Sequence, residues 1–236
     1  EMVKKFHPAV LPAKNKIILS NNNFKNIAMI LKTKKLKKAD GLLLDLGLSS
    51  NQLTSSHKGF SFLRDEPLLM TYSSTTKPAY RWLEILKEKD LAAVIKNFGE
   101  ERFAGAIART IKRNLPIKTT NRLVQIVKSA VPKNYEHGRI NPATRTFQAL
   151  RILVNAELEN LKEILNQIPD ILNPGGRVAM ISFHSLEDRL VKNSFRSLVN
   201  SGKAEYFNKK PIGPSREEVL KNPQSRSAKL RAIRIF

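Results

Sequence analysis

Two short apolar runs constrain this chain more than any other feature. One is Leu42–Leu46 inside DGLLLDLG; the other is Val178–Phe183 inside GGRVAMISFHS. Each has the length of a single strand, follows turn residues and runs into polar residues. Runs of this kind suit strands covered on both faces, as in a parallel sheet. Helical patterns flank them. FKNIAMILK places Phe24, Ile27, Ile30 and Leu31 on one stripe, and a lysine cluster follows. LEDRLVKNSFRSLV reads as a helix directly after the second run. KIILS, Lys16–Ser20, reads as a further buried strand, and KAEYF and AKLRAIRIF read as two more. The alternation of strands and helices predicts an α/β fold with a mainly parallel sheet wrapped by helices.

The middle of the chain has a different character. Residues 49–77 are rich in Ser, Thr, Gly and Pro without a sustained period, and read as a long functional loop. Residues 78–132 carry helical patterns only, with Pro78 at a first turn, a threonine cap before RLVQIV, and a stop at Pro132. This block reads as a small bundle inserted into the α/β chain. From Ala143 to Ile168 a single long amphipathic helix is expected, with Phe147, Leu150, Val154, Leu158, Leu161 and Leu165 on one face. The expected domains are therefore a discontinuous α/β domain, residues 1–54 and 139–236, and a loop plus helical insertion, residues 55–138.

In open α/β sheets, ligands bind beyond the carboxyl ends of the strands. Asp45 and the pair His184-Ser185 stand at those ends, so the tips of two strands far apart in sequence are expected to share one hollow. A buried carboxylate costs several kcal/mol unless partnered, so Asp45 is expected to receive hydrogen bonds. Two readings stay open for it: a cap on the next turn, or an acceptor for a ligand's amine or hydroxyl. Gly47 permits a close turn, and Ser49, Ser50 and Gln52 follow as donors and acceptors. Ser185-Leu-Glu-Asp188 has capping-box spacing. Ser185 either caps the helix or shares a helix N-terminus open to an anionic group, and His184 either donates to a substrate or orients the loop.

Composition narrows the partner. Lys and Arg number 42 against 20 acids, a net charge of +22. A polyanion is the natural partner of such a field, and nucleic acid is preferred over a membrane surface. The chain has no cysteine, which excludes disulfides and thiolate metal sites. No His/Asp/Glu set has metal-ligand spacing, no P-loop or G-x-S-x-G occurs, and no apolar run reaches the ~20 residues of a membrane span.

Six blocks in order, DGLLLDLGLSSNQL, GFSF, GEERFAGAIARTI, INPATRTFQALRILVNAELENL, NPGGRVAMISFHSLEDRLVK and NPQSRSAKLRA, resemble the RsmH (MraW) family of ribosomal small-subunit methyltransferases. The resemblance runs from about residue 16 to the C-terminus. It implies a class I, Rossmann-like methyltransferase sheet with an all-helical insertion. It also implies methyl transfer from S-adenosyl-L-methionine to the N4 amine of a cytidine in the decoding region of 16S rRNA. Asp45 and Gln52 would contact the cofactor and Phe24 would flank its adenine; Asp45 and Ser49 are the candidate acceptors for the cytidine amine. Ser50, Asn141, Arg145, His184 and Ser185 would line the cleft or hold RNA. The implied partner is small-subunit rRNA or the 30S particle, with no membrane or metal and with a homodimer left open. The implied location is the bacterial cytoplasm, or an organellar matrix in a eukaryote.

Three departures stand against the family pattern. No glycine precedes Gly41, so the family's glycine-rich cofactor loop is not found and the first βα unit is expected to be missing. The family's DGPLDMRM reads DEPLLMTY here, with Leu69 and Thr71 in place of an acid and an arginine. The usual T-A-x-D helix start reads TTKPAYRWL. The alternative function is a non-catalytic RNA-binding assembly factor on a degenerate methyltransferase fold.

Overall fold

The computed structural model describes residues 17–48, 56–138 and 140–236. The chain divides into two units. An α/β unit comprises the residues up to Leu46 together with Glu159–Phe236, and a helical unit comprises Gly47–Leu158.

The α/β unit is built on four strands, β1 (Ala39–Asp45), β2 (Leu172–Ser182), β3 (Ala204–Tyr206) and β4 (Lys229–Ile235), in the order β1-β2-β4-β3. β1 and β2 are parallel, whereas β4 runs antiparallel to both β2 and β3. The sheet is thus mixed rather than mainly parallel. Three strands share one direction and β4 is reversed: the connection from β3, which carries a short helix (Arg216–Lys221), turns the chain back between β3 and β2. Leu42, Leu46, Val178, Met180, Ile233 and Ile235 supply the sheet's part of the core. A 3-10 turn, Phe24–Asn26, leads into α1 (Ile27–Thr33), and Phe24, Ile27 and Leu31 pack against that core. Val191 and the fully buried Phe195 join it from the helix after β2.

The α/β unit departs from expectation in three further places. Residues 17–20, described here without their neighbour Lys16, form no strand, and Ile18 and Leu19 are exposed. β1 is not covered on both faces: it pairs with β2 alone among the described residues, and Leu43 is 68% exposed. Asn173-Pro174-Gly175-Gly176 is accommodated as an irregularity within β2. The register steps from Ala39↔Leu172 to Gly41↔Arg177, with Gly175 at φ +83°.

In the helical unit, α2 (Ala79–Ile85), α3 (Glu88–Gly99), α4 (Ala104–Arg113), α5 (Thr120–Ser129) and α6 (Thr144–Asn155) enclose a core that includes Leu83, Leu91, Ile95, Ile107, Ile111, Leu123 and Leu150. Gly99 lets α3 approach α6 closely, since a Cβ there would lie 2.6 Å from the Arg145 carbonyl oxygen. The single helix expected over 143–168 is two. α6 ends at Asn155, Ala156 adopts a left-handed conformation at φ 49°, and α7 (Glu157–Ile171) begins beyond it. The expected division at 138/139 also lies elsewhere, because α6 buries Phe147, Leu150 and Val154 in the helical core. On the α/β side, Leu161, Ile164, Leu165 and Ile168 of α7 pack in the sheet's core.

The loop 56–77 is fixed by specific hydrogen bonds. The buried Glu66 carboxylate accepts from Gly59 N–H at 2.9 Å. Thr120 Oγ1 accepts from Glu66 N–H at 3.0 Å and donates to the Arg64 carbonyl at 2.8 Å. Asn155 clamps the next stretch: its amide donates to the Met70 carbonyl at 2.8 Å and its carbonyl accepts from Tyr72 N–H at 3.0 Å. Met70 is held at φ 56° between the departing residues Leu69 and Thr71.

Candidate active site

Parallel pairing carries the carboxyl ends of β1 and β2 to the same place. Asp45 stands opposite Ile181, and Leu46 N–H donates to the Ile181 carbonyl at 3.0 Å. Three residues after Ile181, His184 opens α8 (Ser185–Asn200). Asp45 and the start of α8 are therefore neighbours at one rim of the sheet. The chain leaves this rim through Gly47, whose φ of +99° suits glycine. Phe24 packs against the sheet's core ahead of α1, and the carbonyl of the next residue, Lys25, accepts from Gln167 Nε2 of α7 at 2.8 Å.

Asp45 is exposed, so it bears no burial cost and is open to solvent at the rim. The expectation of a buried, partnered carboxylate fails here because β1 is covered on one side only.

The start of α8 is set one residue earlier than the S-x-x-[DE] spacing predicts. His184, not Ser185, is the N-cap: its side chain accepts from Glu187 N–H, through Nδ1, at 3.4 Å. Glu187 completes the box by accepting from Phe183 N–H at 2.9 Å and His184 N–H at 3.4 Å. An accepting Nδ1 places the ring proton on Nε2. That Nε2–H lies 3.3 Å from Glu187 Oε1, too poorly aligned for a hydrogen bond, and is buried without another acceptor among the described residues. Ser185, at the first helical position, is exposed.

Asp188 is drawn away from the box by β4. Its carboxylate receives Arg231 Nε at 2.7 Å and Nη2 at 3.2 Å, with Lys229 Nζ at 3.3 Å. Burial pushes the Asp188 carboxyl up, but the bidentate Arg231 guanidinium and then Lys229 outweigh it and hold the group below its ordinary range. Glu187, Asp188 and Arg231 were not singled out from sequence as site residues. The signal was present as the acid pair in SLEDR and the cation-apolar alternation in KLRAIRI.

The other expected site residues divide between the units. Asn141 and Arg145 belong to the helical unit. Asn141 accepts from Ala143 N–H at 2.9 Å and so shapes the entry to α6, while the Arg145 carbonyl packs against Gly99. Ser49, Ser50 and Gln52 lie outside the described residues.

A helix-flanked sheet of this order, with polar residues gathered at the carboxyl ends of adjacent parallel strands, fits the fold of a Rossmann-like methyltransferase. The chain belongs to the MraW methylase family, whose model matches residues 1–236. It is 43% identical over 241 residues to the ribosomal RNA small subunit methyltransferase H of Syntrophus aciditrophicus, covering 94% of this chain and 76% of that protein. The proteins of the same name from Thermotoga neapolitana and Persephonella marina are 46% and 44% identical over 225 and 236 residues. Those matches cover 94% and 98% of this chain, and 74% and 80% of the relatives.

Proposed function

We propose that this protein methylates small-subunit rRNA, transferring a methyl group from S-adenosyl-L-methionine to the N4 amine of a cytidine in the decoding region. The observation that carries the reading is the adjacency of Asp45 and the α8 start at the carboxyl ends of two paired parallel strands. The names of the relatives support rRNA as the substrate.

The described residues fit the nucleoside side of such a cofactor. Asp45 offers an exposed carboxylate and His184 Nε2 a buried donor lacking an acceptor among the described residues, while Phe24 is assigned to the adenine by resemblance. Gln52 joins this set by resemblance. When bound, S-adenosyl-L-methionine supplies a methyl group activated by its cationic sulfur. The cytidine amine is a weak nucleophile because its lone pair is delocalised into the ring. Asp45 and Ser49 are the acceptors assigned to its N–H groups: they orient the lone pair and stabilise charge that grows on nitrogen. A base paired or stacked in folded RNA has to swing out to reach them.

The same rim carries a means of holding RNA. β4 begins there, with Lys229 opposite Ser182 and Ile212 bridged to Leu230, so residues 212–228 form an excursion beside the site. Arg216 and Arg226 lie on it without ion-pair partners among the described residues. Such cations suit the phosphates of an RNA backbone.

Small-subunit particles lacking the modification, incubated with labelled cofactor, should acquire label at a cytidine N4, and Asp45→Asn should reduce kcat by about 10²–10³. Label elsewhere, or none, removes the reading. The departure at Leu69 favours a second one, an RNA-binding assembly factor without catalysis. Calorimetric titration with S-adenosyl-L-methionine separates the two, since cofactor binding disfavours the second.

A further inference from the structure

The densest charge in the chain stands at the other end of the sheet. Lys32, Lys34, Lys35, Lys37 and Lys38 occupy five of the seven positions 32–38, from the last turn of α1 to the start of β1. All five are exposed. The turn that carries them is tightly built. Leu36 N–H donates to the Leu31 carbonyl at 2.9 Å and Lys35 N–H to the Lys32 carbonyl at 3.0 Å, the two bonds of a Schellman helix stop. Its left-handed position, at φ 53°, is held by Lys35, where glycine is the unstrained choice. One lysine in the last turn suffices to complement a helix C-terminus. Lys34, Lys35, Lys37 and Lys38 lie beyond it.

The register extends this turn into a cationic rim. On β2, Arg177 stands opposite Gly41 of β1 and Arg234 of β4, and Lys203 precedes β3 at the same end. The acids along the rim are few and partly engaged. Asp40 accepts from Asn173 at 2.8 Å and Glu205 pairs with Arg234; Asp170 lies beside Pro169, whose carbonyl accepts from Lys38 at 3.4 Å. Lys32, Lys34, Lys35, Lys37, Arg177 and Lys203 have no ion-pair partner among the described residues. The seven residues of β1 separate this rim from Asp45 by about 20 Å.

We infer that the 32–38 turn and its rim are an RNA-anchoring surface, distinct from the transfer site, that holds phosphates of a segment remote from the methylated base. The identity of the partner rests on the rRNA reading above; the surface itself rests on charge complementarity and a rigid turn. Phosphate contacts release counterions and give binding a steep salt dependence. Anchoring of this kind acts on the encounter with the particle and leaves the chemical step alone.

The test compares the full chain with a variant carrying Lys32→Gln, Lys34→Gln, Lys35→Gln and Lys37→Gln, using deproteinised small-subunit rRNA over a range of KCl concentrations. The variant should bind at least 10-fold more weakly near 0.1 M salt. Its plot of log K against log salt should be shallower by roughly 2–4, from about 0.7–0.9 per lost contact. KM for the particle should rise at unchanged kcat, cofactor affinity should hold, and the four lysine-to-arginine changes should preserve binding. Unchanged affinity and slope overturn the inference, as does lysine-dependent binding to phosphatidylserine vesicles with none to RNA. A wild-type protein that shows the lysine-dependent slope yet methylates no rRNA sinks the proposed function and leaves this surface standing.

Discussion

Replacing Asp188 by asparagine tests whether the start of α8 is held by charge. The wild-type carboxylate takes two hydrogen bonds from Arg231, at 2.7 and 3.2 Å, and the two side chains are 12% and 11% exposed. Asparagine keeps one acceptor for Nε but sets an amide N–H₂ against Nη2, so one guanidinium donor loses its partner and the buried cation loses its counter-charge. Breaking one half of a buried pair costs about 3–5 kcal/mol. The Lys229 contact, 48% exposed on the lysine side, adds less than about 1 kcal/mol. Because some solvent reaches the pair, the expected loss is ~3 kcal/mol at pH 7, read as a lower urea midpoint at unchanged m-value. The sign of its pH dependence follows from the depressed Asp188 pKa. The carboxylate's contribution is fully present above the unfolded value near ~3.9 and is lost as pH falls through the lower folded value. The gap between wild type and Asp188→Asn should therefore close on acidification below about pH 4. A cycle with Arg231→Met should show a coupling of ~2 kcal/mol. A loss under ~0.5 kcal/mol at pH 7, within the range of an ordinary surface change, or an undiminished gap at pH 3, refutes the reasoning.

Gly99→Ala drives a Cβ to 2.6 Å from the Arg145 carbonyl, where backbone rather than a flexible side chain has to yield; a loss of about 1–3 kcal/mol in chemical denaturation is expected. Asn155→Ala leaves the Met70 carbonyl and Tyr72 N–H without their partner. It should cost about 1–3 kcal/mol and speed amide exchange at Tyr72, which unchanged protection would contradict. Glu187→Ala removes the reciprocal half of the α8 capping box, for which a loss of ~1–2 kcal/mol by thermal melting is expected.

Periodicity made the helices legible, because an apolar stripe facing a core repeats at helical spacing wherever the partner lies. It could not show the break at Ala156. The stripe continues unbroken from Phe147 through Leu165, but its first part faces the helical core and its second the sheet, and only tertiary structure tells the two apart. β1 was placed correctly and its covering misread for a related reason. Three consecutive leucines look the same whether one side of the strand or both are covered. His184 as N-cap was missed because serine is the commoner cap. The geometry selects histidine since β4 takes the acid, Asp188, that the serine reading had used for its box.

Burial and pairing separate the acids at this rim by role. Asp188 and Glu187 are both buried, one bound by Arg231 and Lys229, the other by the backbone of Phe183 and His184. Each holds part of the α8 start, which would loosen if that carboxylate turned to a substrate. Asp45 differs in each respect: it is exposed, stands at the end of its strand, and is followed by a glycine that turns the chain away. A carboxylate that contributes little to folding at a position fixed by strand pairing is free to act on a ligand. Asp45→Asn should accordingly leave stability within about 0.5 kcal/mol of wild type, even as methyl transfer falls by orders of magnitude. The same change at Asp188 should do the reverse, with stability falling first and activity following only as the α8 start loosens.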